Sequence, residues 1–332
     1  MKYRALGTTG VQVSQLCFGT MSFGGDADEA MSGKMFKACR DAGINFFDTA
    51  DQYTNGRSEE ILGRLIQGSR DELVIATKCY NPTGKDVNAR GGSRRHISRA
   101  VEASLKRLQT DRVDILFLHQ YDPLPAPEET WRAIEDLVRA GKVLYPAASN
   151  YAAWQAQRAL DLQQARGWSR LQVLQPMYSL VKRQAEVEIL PQAAASSIAV
   201  TPYSPGGGGL LSGKYAKSGA GTASGAPAGR IATNKMYESR YSDEWMHEVA
   251  AKFADFCKGR GWHPMSVAVA WVGAHPAVTA PIIGARSTEQ LQASLDSIKI
   301  DMTPELRAEI SALSRTPPPA TDRLEEIKTK PA

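Results

Sequence analysis

Four polar residues carry the chemistry legible in this chain; three close short apolar runs and the fourth, Tyr53, follows one within a few residues. They are Asp48 in NFFDTAD, Tyr53 in DQYTNG, Lys78 in IATKCY and His119 in LFLHQYD. A carboxylate or an ammonium at the end of a buried run is costly unless it is paired. Asp48 and Lys78 resolve that cost for each other if they meet. An ordinary phenol has a pKa of about 10, too high for ready proton exchange near neutrality. A neighbouring ammonium favours the phenolate, so Tyr53 beside Lys78 is expected to have a lowered pKa, as general acid catalysis requires. His119 would then orient a carbonyl oxygen or share the proton. A carboxylate, a phenol, an ammonium and an imidazole at one place make a proton-transfer site.

For these residues to meet, the elements carrying them must open onto one face. Short apolar strands are expected at Leu16–Gly19, Phe46–Asp48, Leu73–Lys78, Ile115–His119, Val143–Ser149, Val173–Met177, Ala199–Tyr203 and Ala280–Gly284. Segments of helical period lie between them: Asp28–Ala42, Ser58–Ile66, His96–Leu108, Pro127–Ala140, Ala152–Arg166, Ala185–Ser196 and Pro264–Ala274. Strands alternating with helices imply right-handed crossovers and a parallel sheet. Eight strands close a (β/α)8 TIM barrel, whose strand C-terminal ends share one mouth. The class is α/β. One barrel domain spans residues 1–332, with an N-terminal β-hairpin, Lys2–Leu6 and Val11–Val13, plugging the opposite end. Two extra helices are expected at Ser242–Arg260 and Thr303–Arg315. Long loops fall at 80–95 and 204–241, and a Pro-rich tail at 316–332. Loops of that length are usually functional lids or disordered.

Composition excludes several classes. Lys plus Arg number 40 and Asp plus Glu 35, a net charge of +5, spread thinly. The densest basic stretch, Lys85 to Arg99, has no aromatic residue and reads as a solvated loop and helix start, so no nucleic-acid partner is expected. Cys17, Cys39, Cys79 and Cys257 lack CxxC spacing and read as free thiols in a reducing compartment. The longest apolar run, Val267 to Ala274, is too short to span a bilayer. The expectation is a soluble, cytoplasmic protein, monomeric, with no membrane partner. The five histidines show neither HxH nor HExxH spacing, so no metal site is expected.

The motifs resemble the aldo-keto reductase family over almost the whole chain, in its bacterial branch near aryl-alcohol dehydrogenases and potassium-channel β subunits. DTADQY fits the family's DxAxxY, and His119 to Pro123 fits H-x-x-D-P. Ser149-Asn150 follow the fifth strand, and Gln175 lies in LQVLQPMYSL. TPYSPGGGGLLSGKY and IIGARSTEQLQAS match the segments after strands seven and eight. The resemblance implies a tetrad of Asp48, Tyr53, Lys78 and His119. It also implies NADPH or NADP+, with NADH possible, held extended without a Rossmann fold; no G-x-G-x-x-G stands between a strand and a helix. Gly19, Thr20, Met21 and Asp48 would lie along the cofactor. Ser149, Asn150 and Gln175 would hold the carboxamide, and Tyr203 would stack on the nicotinamide. Ser204, Leu211, Ser212 and Lys214 would meet the pyrophosphate. Gly284, Arg286, Gln290 and Ser294 would serve the adenosine end. Ser287 and Gln290 fit a capping box, and a helix N-terminus is a ready anion site; Arg286 beside it suits a 2′-phosphate. The implied activity is NADPH-dependent reduction of an aldehyde or ketone. The alternatives are an alcohol or sugar dehydrogenase running oxidatively and a cofactor-binding regulatory subunit. Phe23, Tyr80 and Tyr121 are the candidate walls of the substrate pocket.

Overall fold

The computed structural model describes residues 1–214, 231 and 234–325. Eight parallel strands form one sheet: β3 (Cys17–Gly19), β4 (Phe46–Asp48), β5 (Val74–Cys79), β6 (Val113–Leu118), β7 (Val143–Ser149), β8 (Val173–Gln175), β9 (Ala199–Val200) and β10 (Ile282–Ile283). Neighbours follow chain order, with β10 beside β3. Backbone hydrogen bonds from Thr279 to Val200 and from Ile282 to Pro202 join the last strand to β9 and close the barrel.

Side-chain alternation decides what the barrel contains. Successive residues of a strand point to opposite faces. Phe46, Ala76, Ile115, Phe117, Ala147, Val173 and Ala199 share one apolar cluster inside the barrel. Phe47, Ile75, Leu116, Ala148 and Leu174 belong to the other cluster, packed against the helices. Leu6 and Val13, flanking the hairpin β1 (Tyr3–Ala5) and β2 (Gln12–Ser14), join the inner cluster, so the hairpin does fill the lower end of the barrel. One alternation step above the inner layer come Asp48, Lys78, His119, Ser149 and Gln175. The inward row that is apolar at the base turns polar at the mouth.

The helical ring is α1 (Glu29–Asp41), α2 (Arg57–Leu65), α3 (Arg94–Leu108), α4 (Pro127–Arg139), α5 (Ala153–Arg166), α6 (Ile189–Ala195), α7 (Lys235–Tyr241), α8 (Glu244–Gly259), α9 (Pro264–Gly273), α10 (Thr288–Leu295) and α11 (Pro304–Ser311). Their starts carry expected caps: Asp28, Ser93, Ser287 and Thr303 each accept a backbone N–H from the first turn. The extra helices α8 and α11 are present. The expected long loop 204–241 is corrected in part. Its beginning winds into a tight turn at Gly207–Ser212, where Gly207, Gly208 and Gly209 all take positive φ. Its end forms α7, capped by Asn234. Seven residues of helix lack the length for a clear periodic pattern. The rest of that loop, and 326–332 of the tail, lie outside the described residues.

Candidate active site

Lys78 is fully buried, and its ammonium spends its donors on three oxygens. They are Asp48 Oδ1 at 2.5 Å, the Thr49 carbonyl at 2.7 Å and the Tyr53 phenol at 3.3 Å. An ammonium only donates. The Tyr53 oxygen therefore accepts from Lys78, and its own hydrogen is free for the cleft. Asp48 Oδ2 takes a 2.9 Å hydrogen bond from Gln175 Nε2, which fixes the carboxylate from the other side of the barrel. His119 packs edge-on to Tyr53, ring centroids 6.0 Å apart. The tetrad expected from sequence does converge.

The electrostatics correct one expectation. Burial pushes the Tyr53 phenol up, the Lys78 ammonium pulls it back only part-way, and the result lies above the ordinary phenol value. Desolvation outweighs the attraction, and the Asp48 charge beside the ammonium adds to the upward push. Burial alone would depress Lys78; the Asp48 charge, then Tyr53, and the hydrogen bonds to both together more than offset this and hold it cationic. His119 is pushed down to about 3 by burial and then by Lys78, so its imidazole is neutral. Asn81 Nδ2 lies 3.2 Å from His119 Nδ1. An amide nitrogen only donates, so Nδ1 accepts and the ring proton sits on Nε2. Asn81 was not singled out in the sequence; an Asn in a loop of Gly, Asn and Pro carries no local signal. The site thus offers two hydrogen-bond donors, Tyr53 O–H and His119 Nε2–H.

A cleft of about 750 Å³ opens over the tetrad. Of the residues expected along the cofactor, Gly19, Met21, Asp48, Ser149, Asn150, Gln175, Tyr203, Ser204, Ser212, Lys214, Gly284, Arg286, Gln290 and Ser294 line it. Thr20 and Leu211 do not. Thr20 is buried, bonded through its hydroxyl to the Asp48 carbonyl and Ser58, and Leu211 packs into the outer core. The Asn150 amide donates to the His119 carbonyl and accepts from the Tyr203 phenol, at 2.9 and 2.7 Å. Ser287 Oγ caps the Gln290 N–H, while Gln290 Oε1 accepts from the Arg286 amide, one residue earlier than a capping box requires. Arg286 also pairs with Asp26 at 2.9 Å.

The three candidate wall residues lie elsewhere. Phe23 is fully buried and tilts against Phe18 in the outer core. Tyr80 is buried at the end of β5, and Tyr121 stacks edge-on with Tyr151 and Trp154 away from the cleft. Aromatic character marked them, but all three lie past the last residue of their strands, where the chain turns and two-residue alternation no longer sets direction; Tyr80 takes a φ of 151° there. Gln52, Asn81, Gln120, Met236, Tyr237, Arg240, His263 and Met265 line the cleft instead.

The sequence model described as the aldo/keto reductase family matches residues 15–315. The chain belongs to the aldo/keto reductase family. It is 39% identical over 317 residues to a protein named "Uncharacterized oxidoreductase YrpG" of Bacillus subtilis, covering 92% of this chain and 94% of that one. It is 32% identical to versiconal hemiacetal acetate reductase of Aspergillus parasiticus, covering 92% and 94%. It is equally 32% identical to a probable voltage-gated potassium channel subunit beta of Oryza sativa, covering 97% and 99%. As a family member it is an NAD(P)H-dependent oxidoreductase. Among the described residues, no helix is long and apolar enough to cross a membrane.

Behind the tetrad lies a second buried charge cluster. Glu59 is buried, accepting from Arg107 at 2.7 Å and from Thr77 at 2.5 Å. Asp51 is only 2% exposed, and neither carboxyl oxygen makes a hydrogen bond of good geometry among the described residues. Burial and the neighbouring Glu59 charge push its pKa up to about 7; Arg107, the Gln52 amide and Lys78 pull it back only part-way. A carboxyl group raised in the folded state stabilises the fold at low pH, and the contribution drains away as pH rises from about 4 towards 7. The stability advantage of Asp51→Asn over the wild type should therefore grow by about 2–3 kcal/mol between pH 5 and pH 8. Urea melts of both proteins at the two pH values measure this; parallel pH dependences would refute it.

Proposed function

We propose that this oxidoreductase reduces an aldehyde or ketone to the alcohol, with Tyr53 as proton donor and NADPH as its reductant. NADPH, when bound, supplies the hydride that adds to the carbonyl carbon. Tyr53 O–H and His119 Nε2–H hold the carbonyl oxygen, and the Tyr53 proton passes to it as negative charge develops. Asp48 and Gln175 keep Lys78 pointed at the phenol.

The observation that carries the reading is the orientation of the Tyr53 hydroxyl: its oxygen accepts from Lys78, which leaves the O–H to donate to a carbonyl oxygen in the cleft. By microscopic reversibility the same residues would serve alcohol oxidation, so rates measured in both directions separate the two. Gln175 keeps Oε1 for a carboxamide N–H while its Nε2 holds Asp48. The left-handed turn of three glycines allows close backbone approach to phosphates, with Lys214 beside it. Arg286 is the reason for preferring the 2′-phosphorylated cofactor. Its pair with Asp26 is solvent-exposed and therefore weak enough for a dianion to displace.

Purified protein mixed with a panel of aldehydes and ketones tests the proposal. Consumption of NADPH, followed at 340 nm and faster than with NADH, is the expected result. Alcohol oxidation that outpaces every carbonyl reduction would overturn the assigned direction.

A further inference from the structure

Among the described residues, three lysine or arginine side chains line the cleft: Lys214, Arg240 and Arg286. Lys214 sits over the glycine turn, its Nζ 3.4 Å from the place a side chain on Gly209 would occupy. Arg286 lies by the α10 N-terminus and pairs with Asp26. Both belong to the proposed phosphate-binding end. Arg240 is placed differently. It projects from the last turn of α7, is half-buried, and makes no ion pair or hydrogen bond among the described residues. Its guanidinium lies 6.0 Å from the Tyr237 ring centroid. Its charge is felt by the phenols of Tyr203 and Tyr241, and Tyr237 in turn acts on the phenol of Tyr53. Tyr203 is bonded to Asn150, whose amide is bonded to His119. Tyr237 and Tyr241 also abut Gly208, so Arg240 lies between the glycine turn and the catalytic end of the cleft, in a wall of tyrosines.

A half-buried guanidinium that no carboxylate pairs among the described residues can offer its donors to an anion entering the cleft. The guanidinium fork matches a carboxylate through two parallel hydrogen bonds. We infer that Arg240 anchors a carboxylate on the substrate, so that the preferred substrates are carbonyl compounds bearing an acid group some distance from the reacting carbon. This rests on the carbonyl-reductase reading and names its substrate class. The competing occupant of Arg240 is a phosphate of the cofactor.

The test compares 4-carboxybenzaldehyde with 4-nitrobenzaldehyde, in the wild type, Arg240→Gln and Arg240→Lys. Dissociation constants for NADPH are measured in parallel by fluorescence titration. In Arg240→Gln, kcat/KM for the carboxylated aldehyde is expected to fall about 10- to 100-fold, chiefly through KM. The fall for the nitro compound should be at least about tenfold smaller. Arg240→Lys, keeping the charge without the fork, should recover part of the loss. Equal losses with both aldehydes, no loss with either, or a weakened NADPH affinity as the main effect would overturn the inference and leave the reductase reading standing. No turnover of either aldehyde by the wild type would overturn both.

Discussion

Tyr53→Phe is expected to lower kcat by about 10²- to 10⁴-fold while the protein folds normally and binds NADPH as tightly as before. The phenol oxygen is one of three acceptors around Lys78, and the other two, Asp48 and the Thr49 carbonyl, remain in the variant. What disappears is the only O–H of the tetrad. The loss belongs in kcat, because the proton moves in the transition state and contributes little to holding the ground state. Fluorescence titration of NADPH and steady-state kinetics on the same preparation separate the two effects. A variant that kept near-normal kcat would remove Tyr53 from the chemistry. One that lost its cofactor affinity would make Tyr53 a structural residue.

The second large effect concerns stability as much as activity. Lys78→Met should cost about 3–5 kcal/mol of folding free energy, because it strands the Asp48 carboxylate with Gln175 as its remaining side-chain partner. Both members of the pair are buried, the lysine completely. Converting the partner as well, in Asp48→Asn/Lys78→Met, should restore most of the stability, since no uncompensated charge remains. Neither protein should recover turnover. Urea denaturation of the wild type, both single variants and the double variant completes the cycle. Additive losses would show that the two charges do not depend on each other.

The barrel was legible because its signals repeat. Apolar strands recur between helical segments, and the inward row of each strand can be counted in twos. Phe46 leads to Asp48, Ala76 to Lys78 and Phe117 to His119, so the polar residue at each strand end had to point into the mouth. Strand ends were overrun where the ladder stops early: β8 ends at Gln175 and β9 at Val200, although the apolar runs continue. The pocket walls were misread for a different reason. Phe23, Tyr80 and Tyr121 continue the inward count, but their strands end at Gly19, Cys79 and Leu118, so the count no longer holds when it reaches them. Met236, Tyr237 and Arg240 were hidden because α7 is short and follows a Gly- and Ala-rich stretch. Asn81 was hidden because its partner, His119, is 38 residues away. The phenol of Tyr53 shows the limit of counting charges. The ammonium was found, but how far burial outweighs it depends on the fold.

Among the described residues, eight that are not glycine take positive φ. Thr54, Asn55, Tyr80, Asn150 and Ser204 follow the C-terminal ends of barrel strands, Gln109 and Ser197 follow helices at the base, and Asp322 lies in the tail. Such conformations are costly for ordinary side chains, for a β-branched Thr most of all. The base holds Leu6 and Val13 in an apolar plug, with fewer such residues around it. The two ends of the barrel therefore answer to different selective demands. Stabilising substitutions introduced around the hairpin leave the catalytic loops untouched, whereas relaxing a loop at the mouth trades activity for stability. An engineer seeking a hardier reductase should work at the base, and one seeking a new substrate should accept some loss of stability at the mouth.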